Sequence, residues 1–292
     1  MLQHVHCTDA ELYVEITGTG RPVVLVHGSW DDHRSWDRVV PLLSPHCQVV
    51  GYDRRGHSKS TRPPGQGSIR EDARDLACLI SELALDRPLV VGHSYGSCVA
   101  LLFGAGHPEL TSGLVIHEPP LFALLTADES TRHLATTASA EMKIAAELLS
   151  QGFLAEGAHH FVEKVGFGPG TWTGLFTEEM RRTCVANADT WLDQYRDPDR
   201  LAIRPEILTG FPHPILITYG DAGPPAYKPV VDLLTAELPQ AQGRLIPGAG
   251  HAPHLSHPAR LAEVIVSALG ATASPYTGNG LTFPARKPGE GT

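Results

Sequence analysis

No stretch of this chain approaches the roughly 20 consecutive apolar residues that a bilayer-spanning helix requires. The longest apolar runs, such as Cys98 to Phe103, are far shorter, so no membrane span is expected. The opening residues, Met1 to Asp9, have neither the basic nor the apolar region of a signal peptide, and the expectation is a cytoplasmic protein. Positive charge is also scarce. Lys and Arg total 23 against 32 Asp and Glu, a formal charge of −9 that repels phosphate backbones and anionic headgroups and excludes nucleic acid and membrane surfaces as partners. Cysteine is sparse and scattered: Cys7, Cys47, Cys78, Cys98 and Cys184 are odd in number and contain no C-x-x-C pair. Zinc and dithiol chemistry are not expected, and most of these thiols should be buried, reduced and inert. Histidine is plentiful at 16, but the only tight pairs are His159-His160 and His251-Ala-Pro-His254. The proline inside the second argues against a helical ligand face, so no metal site is expected.

The 292 residues are 42% hydrophobic and 19% charged, too apolar for a disordered chain and long enough to bury a full core. Short apolar runs punctuate the first part: Val23 to Val26, Cys47 to Val50, Leu89 to Val91 and Leu114 to Ile116. Runs without polar alternation suit strands buried on both faces, as in a parallel sheet. Between them, Ile69, Ala73, Leu76, Ile80 and Leu83 recur at helical spacing and predict an amphipathic helix over 69–85. Tyr95 to Ala105 reads as a second helix, and Glu11 to Thr17 with the turn Gly18-Thr19-Gly20 as part of an antiparallel pair before the first run. Strand and helix in alternation predict right-handed crossovers and an open α/β sheet.

From Pro119 to Pro212 the strand runs stop, and helices are expected over 139–149, 158–165 and 177–195. The strand pattern resumes at Pro214 to Tyr219 and Arg244 to Ile246, each followed or preceded by a helical stretch. The chain thus divides into a core of 1–118 and 213–270, a helical insertion of 119–212, and a Pro/Gly-rich tail of 271–292 with no period of either kind.

Gly92-His93-Ser94-Tyr95-Gly96 stands directly after a buried strand run and before a helix. A serine on such a turn is held in strained backbone that tolerates only small neighbours, and its hydroxyl projects at a helix N-terminus where amides favour developing negative charge. Ser94 is the candidate nucleophile. A serine needs a base, and the base needs an orienting acid. Asp221, after Tyr219-Gly220, and His251, after Gly250, both follow strand ends, and carboxyl ends of parallel strands share one rim. Glu118, at the end of the run 114–116, is the rival acid, and Asp221 also suits a helix cap. Gly28 in His27-Gly28-Ser29-Trp30 allows a sharp turn, so the amide of Ser29 can join that of Tyr95 as an oxyanion hole. Trp30 stands either at a pocket mouth or in the core. Trp172 and Trp191 are further candidate substrate contacts, with core packing as their alternative.

These motifs, with Asp53-Arg54-Arg55-Gly56-His57-Ser58, make residues 10–270 resemble an α/β-hydrolase fold enzyme. The resemblance implies a mostly parallel sheet of about eight strands flanked by helices, a lid inserted after the sixth strand, and a triad of Ser94, Asp221 and His251. It implies a structural turn over 53–58. A serine nucleophile disfavours the branches that carry aspartate there. The closing segment, Ser256-His257-Pro258, lacks the glutamate that relatives often carry before the proline, a departure that touches only a helix-capping contact.

The expected reaction is hydrolysis of an ester or lactone of a moderately apolar small molecule through an acyl-enzyme. It requires no cofactor and no partner beyond its substrate. Carbon–carbon bond hydrolysis, acyl transfer, peracid formation and silent small-molecule binding occur on the same fold and remain alternatives.

Overall fold

The computed structural model describes residues 1–272. Eight strands form one sheet: β1 Leu2–Cys7, β2 Ala10–Thr17, β3 Pro22–Val26, β4 Gln48–Tyr52, β5 Leu89–His93, β6 Gly113–His117, β7 Ile215–Gly220 and β8 Ala241–Ile246. Their order is β1-β2-β4-β3-β5-β6-β7-β8. β1 and β2 form a hairpin, β2 runs antiparallel to β4, and every later pairing is parallel. The expected antiparallel pair therefore closes at Thr8-Asp9, and the glycines after β2 carry the chain across to β3, which β2 does not touch.

The unbroken apolar runs are explained by what covers each face. Val24, Val26, Val90, Leu114, Ile116, Ile215 and Ile217 belong to one buried cluster, and the intervening Val23, Leu25, Leu89, Val91, Val115 and Leu216 to another. The first cluster packs on α2 Ile69–Glu82, α3 Tyr95–Gly106 and α9 Tyr227–Glu237, the second on α1 Val40–Leu43 and α11 Pro258–Ala271. Each such side chain withdrawn from water contributes roughly 1.5–3 kcal/mol, so these central runs stay apolar on both faces.

Local signals set the helix bounds. Ser68 and Glu71 cap α2 reciprocally at its start, and the helix ends at Glu82 with Leu83 as its C-cap, short of the expected 85, because Ala84 takes a positive φ. Between β6 and β7 lie α4 Glu129–Ser150, α5 Leu154–Phe161, a π turn over Val162–Gly166, α6 Thr171–Gly174, α7 Glu178–Ala186 and α8 Ala188–Arg196. The stretch read as one helix over 177–195 is two, because Asn187 leaves the helical backbone. Its side chain donates to Asp31 O at 2.9 Å and accepts from Ser58 N at 3.0 Å. The short helix α10, Pro253–Ser256, precedes α11. Ala271 still belongs to α11, and residues 273–292 of the expected tail lie outside the described residues.

Cys7 and Cys78 form a disulfide between the end of β1 and α2, with Cα atoms 5.8 Å apart. This corrects the expectation for these two cysteines, which nothing in their spacing links; Cys47, Cys98 and Cys184 are free and buried. Disulfides persist mainly in oxidising compartments, so the bond weighs against the expected cytoplasmic setting. No helix among the described residues is long and apolar enough to cross a membrane. The bridge spans 71 residues, and closing a loop of that length should stabilise the fold by about 4 kcal/mol. Cys78→Ser, or dithiothreitol on the native chain, should lower the urea-unfolding free energy by that amount; equal midpoints with and without reductant would contradict the bond.

Candidate active site

Ser94 sits between β5 and α3 with φ 54° and ψ −120°, a conformation that side chains adopt only when surroundings impose it. The neighbouring glycines impose it. A Cβ on Gly92 would lie 2.5 Å from Gly96 O, and one on Gly96 would collide with the carbonyl oxygens of Val26 and His27. Ser94 N–H donates to His117 O at 2.9 Å, and Ser97 Oγ donates to Gly92 O at 2.9 Å and to His117 O at 3.0 Å. The turn is thereby fastened to β6.

His251 is buried, and its Nδ1 lies 2.7 Å from Glu118 Oε2. Glu118 follows β6 with φ 45°, and its Oε1 accepts Gly220 N–H at 2.8 Å. Asp221 does not meet His251. Its side chain is exposed and Oδ1 accepts Gly248 N–H at 2.7 Å, closing the turn after β8. Of the two candidate acids the structure thus brings Glu118, and not the expected Asp221, to His251. β6 adjoins β5, which carries Ser94, whereas Asp221 belongs to β7, one strand further out.

Burial alone would raise the pKa of Glu118, but His117 and His251 beside it hold the carboxyl well below its usual range. Burial lowers the pKa of His251 more than Glu118 raises it, so the imidazole is neutral at neutral pH with its proton on Nδ1. Nε2 is then free to accept. In this structure its partner is Tyr227 Oη at 3.1 Å, not Ser94, and Tyr227 Oη also lies 3.1 Å from Gly166 O. The two rings stack at 4.1 Å. His93 Nε2 donates to the His251 carbonyl at 2.7 Å and fixes the loop from behind.

Ser29 follows a glycine that faces the nucleophile: a Cβ on Gly28 would lie 3.2 Å from Ser94 Cβ. Arg54 holds this turn, donating to His27 O at 3.3 Å and Gly28 O at 3.0 Å and reaching Asp72 at 3.1 Å. Ser29, Ser94 and Tyr95 line one narrow cleft with Cys98, Pro120, Phe122, Met142, Phe161, Val165, Trp191, Gln194, Tyr195, Arg200 and Tyr227. Most of its wall comes from the segment between β6 and β7. Of the tryptophans expected at the substrate, Trp191 lines the cleft. Trp30 is 1% exposed, stacked on Trp191 at 5.2 Å behind the wall. Trp172 packs on His159 and Phe176 and does not reach the cleft. Tyr227, Gln194 and Arg200 carry no sequence motif and escaped the reading of the sequence.

Among the described residues three groups bring possible metal-ligand atoms within 4.8 Å of one another. In two, the atoms already bond each other: His251 with Glu118, and His33 with Asp53 at 2.6 Å. In the third, Asp31 Oδ2, His93 Nδ1 and His254 Nδ1 are buried without hydrogen-bond partners, with Asp31 Oδ2 3.9 Å from His93 Nδ1, the donor set most open to a cation. Burial and Asp32 push the Asp31 carboxyl up to about 8.

The alpha/beta hydrolase family model matches residues 23–264. A hydrolase of 2-hydroxy-6-oxo-6-(2'-aminophenyl)hexa-2,4-dienoic acid from Metapseudomonas resinovorans is 27% identical over 275 residues, 88% of this chain and 86% of its own. An alpha/beta hydrolase from Sphaerobacter thermophilus DSM 20745 has a TM-score of 0.73 at 25% identity, covering 91% of this chain and all of the other. A thermophilic esterase from Thermogutta terrifontis reaches 0.76 at 23% identity over 94% of this chain and 100% of its own, a likeness of fold. Two other curated relatives are matched over less than half their length, 43% of a putative carbamate hydrolase RutD of Azorhizobium caulinodans and 30% of protein Mb2734 of Mycobacterium bovis.

The ionised Glu118 contributes stability that is fully present above its ordinary pKa of 4.5 and is lost as pH falls through the lower folded value. Wild type should therefore exceed Glu118→Gln in unfolding free energy most at about pH 7, with the gap narrowing below about pH 4.5. Asp221→Asn should shift stability by no more than about 0.5 kcal/mol throughout. Urea titrations across this range check both; a gap independent of pH would refute the assignment.

Proposed function

The chain belongs to the alpha/beta hydrolase family, and on that premise we propose that it is a serine hydrolase cleaving a carboxylic ester or lactone of a moderately apolar small molecule. The observation that carries this reading is the 2.7 Å bond from a buried, neutral His251 to Glu118, on the rim where Ser94 stands in its forced conformation. His251 Nε2 leaves Tyr227 and takes the Ser94 proton as Oγ attacks the carbonyl carbon. The amides of Ser29 and Tyr95 hold the oxyanion, and Glu118 stabilises the imidazolium through its Nδ1–H. The imidazolium then protonates the departing alcohol. Water repeats the cycle on the acyl-enzyme and releases the acid. No step in this sequence draws on a cofactor.

A fluorophosphonate probe should label wild type at Ser94 and leave Ser94→Ala unmodified. Glu118→Gln should lower kcat by about 10⁴-fold, by analogy with the orienting acid of serine proteases, while Asp221→Asn should leave it within about threefold. The kcat/KM profile should rise with pH through a value below 6.5, the ordinary histidine pKa, and then level off. An unlabelled serine, or a larger loss at Asp221 than at Glu118, would sink the proposal.

The segment over Ser94 acts in this reading as an apolar lid, through Phe122, Met142, Phe161, Val165 and Trp191. Each methylene buried there is worth about 0.8 kcal/mol, so kcat/KM for p-nitrophenyl esters should climb about fourfold per methylene from acetate until the cleft is full. A flat series would count against the lid as the substrate's binding wall.

A further inference from the structure

The cleft above Ser94 is supplied with hydrogen-bond donors out of proportion to its acceptors. No Asp or Glu lines it, yet its wall carries a guanidinium and an amide. Arg200 donates from Nη2 to Tyr195 O at 3.2 Å, while its buried Nε meets no acceptor. Among the described residues no carboxylate lies within 4.0 Å of this guanidinium. Asp197, the acid whose charge it feels, has Oδ2 on Ile69 N–H at 2.7 Å and Oδ1 on Asp199 N–H at 2.9 Å.

Two other arginines of the core are answered differently. Arg54 meets Asp72 at 3.1 Å and Arg55 meets Asp75 at 2.7 Å, as expected where a desolvated cation must be compensated. Burial accordingly draws the pKa of Arg200 down. Gln194 repeats the imbalance. Its Oε1 accepts from Ser29 Oγ at 2.6 Å, and its buried Nε2 donates to nothing. Two residues that each keep a buried unspent donor, one of them charged, thus line a cleft whose remaining wall is mainly aromatic and aliphatic.

We propose that Arg200, aided by Gln194 Nε2, receives a carboxylate borne by the substrate, so that the cleft selects apolar molecules with one anionic end. A carboxylate supplies the charge Arg200 lacks and matches the paired donors of a guanidinium; the apolar wall takes the body of the molecule. The inference deepens the hydrolase reading, which fixes what happens at Ser94, but binding at Arg200 can be measured without turnover.

The probes are 5-phenylpentanoate and its neutral amide, titrated calorimetrically into the native chain. The anion should bind at least about tenfold more tightly, a difference of about 1.4 kcal/mol, and Arg200→Gln should abolish the preference while its melting temperature stays near that of wild type. Should that variant not fold, phenylglyoxal modification of the native protein decides: the anion, and not the amide, should protect Arg200 as mapped by mass spectrometry. Equal binding, no binding of either probe, a preference that survives in Arg200→Gln, or unprotected Arg200 would each overturn the proposal. Fluorophosphonate labelling in parallel keeps the readings separate. Labelling without anion preference removes this inference alone, and anion preference without labelling removes the hydrolase reading alone.

Discussion

The site depends on a contact between backbones. The start of α3 lies so close to the carbonyls of Val26 and His27 that position 96 has no room for a side-chain carbon, and Gly92 meets Gly96 in the same way. This approach holds Ser94 at its positive φ and brings Gly28 against the serine. A larger residue at either glycine would not remove a catalytic group. It would push the helix off the sheet and dissolve the geometry that the remaining groups share.

The acid–base pair is built into that frame by a carboxylate with more than one duty. Glu118 N–H donates to Thr218 O at 3.2 Å, Oε1 accepts from Gly220 N–H, and Oε2 faces His251. One residue therefore joins β6 to β7 and orients the imidazole. A carboxylate with several donors around it is held in one rotamer, and the base inherits that fixity.

How far the sequence speaks follows from how local the physics is. β3, β4, β5, β6 and β7 were legible because strands covered on both faces cannot alternate, and α2 because Ile69, Ala73, Leu76 and Ile80 recur at helical spacing along it. Ser94 and His251 were legible because their turns need glycine. The acid was not, since Glu118 and Asp221 both follow strand ends, and only the strand order separates them. Trp30 was ambiguous for a similar reason: its burial depends on Trp191, far along the chain. The disulfide joins residues that become neighbours only once β1 and α2 have docked, and Tyr227 and Arg200 reach the cleft from elements whose own periodicity says nothing of it.

The hydroxyl of Tyr227 has one proton and two acceptors within 3.1 Å, the imidazole of His251 and the carbonyl of Gly166 in the π turn. That sharing links a property measured in protons to one measured in ångströms. The carbonyl and the imidazole lone pair compete for that single proton, so the bond to either one is weaker than it would be alone. One hydroxyl group thus ties the packing of the π turn to the electron density left on the imidazole nitrogen.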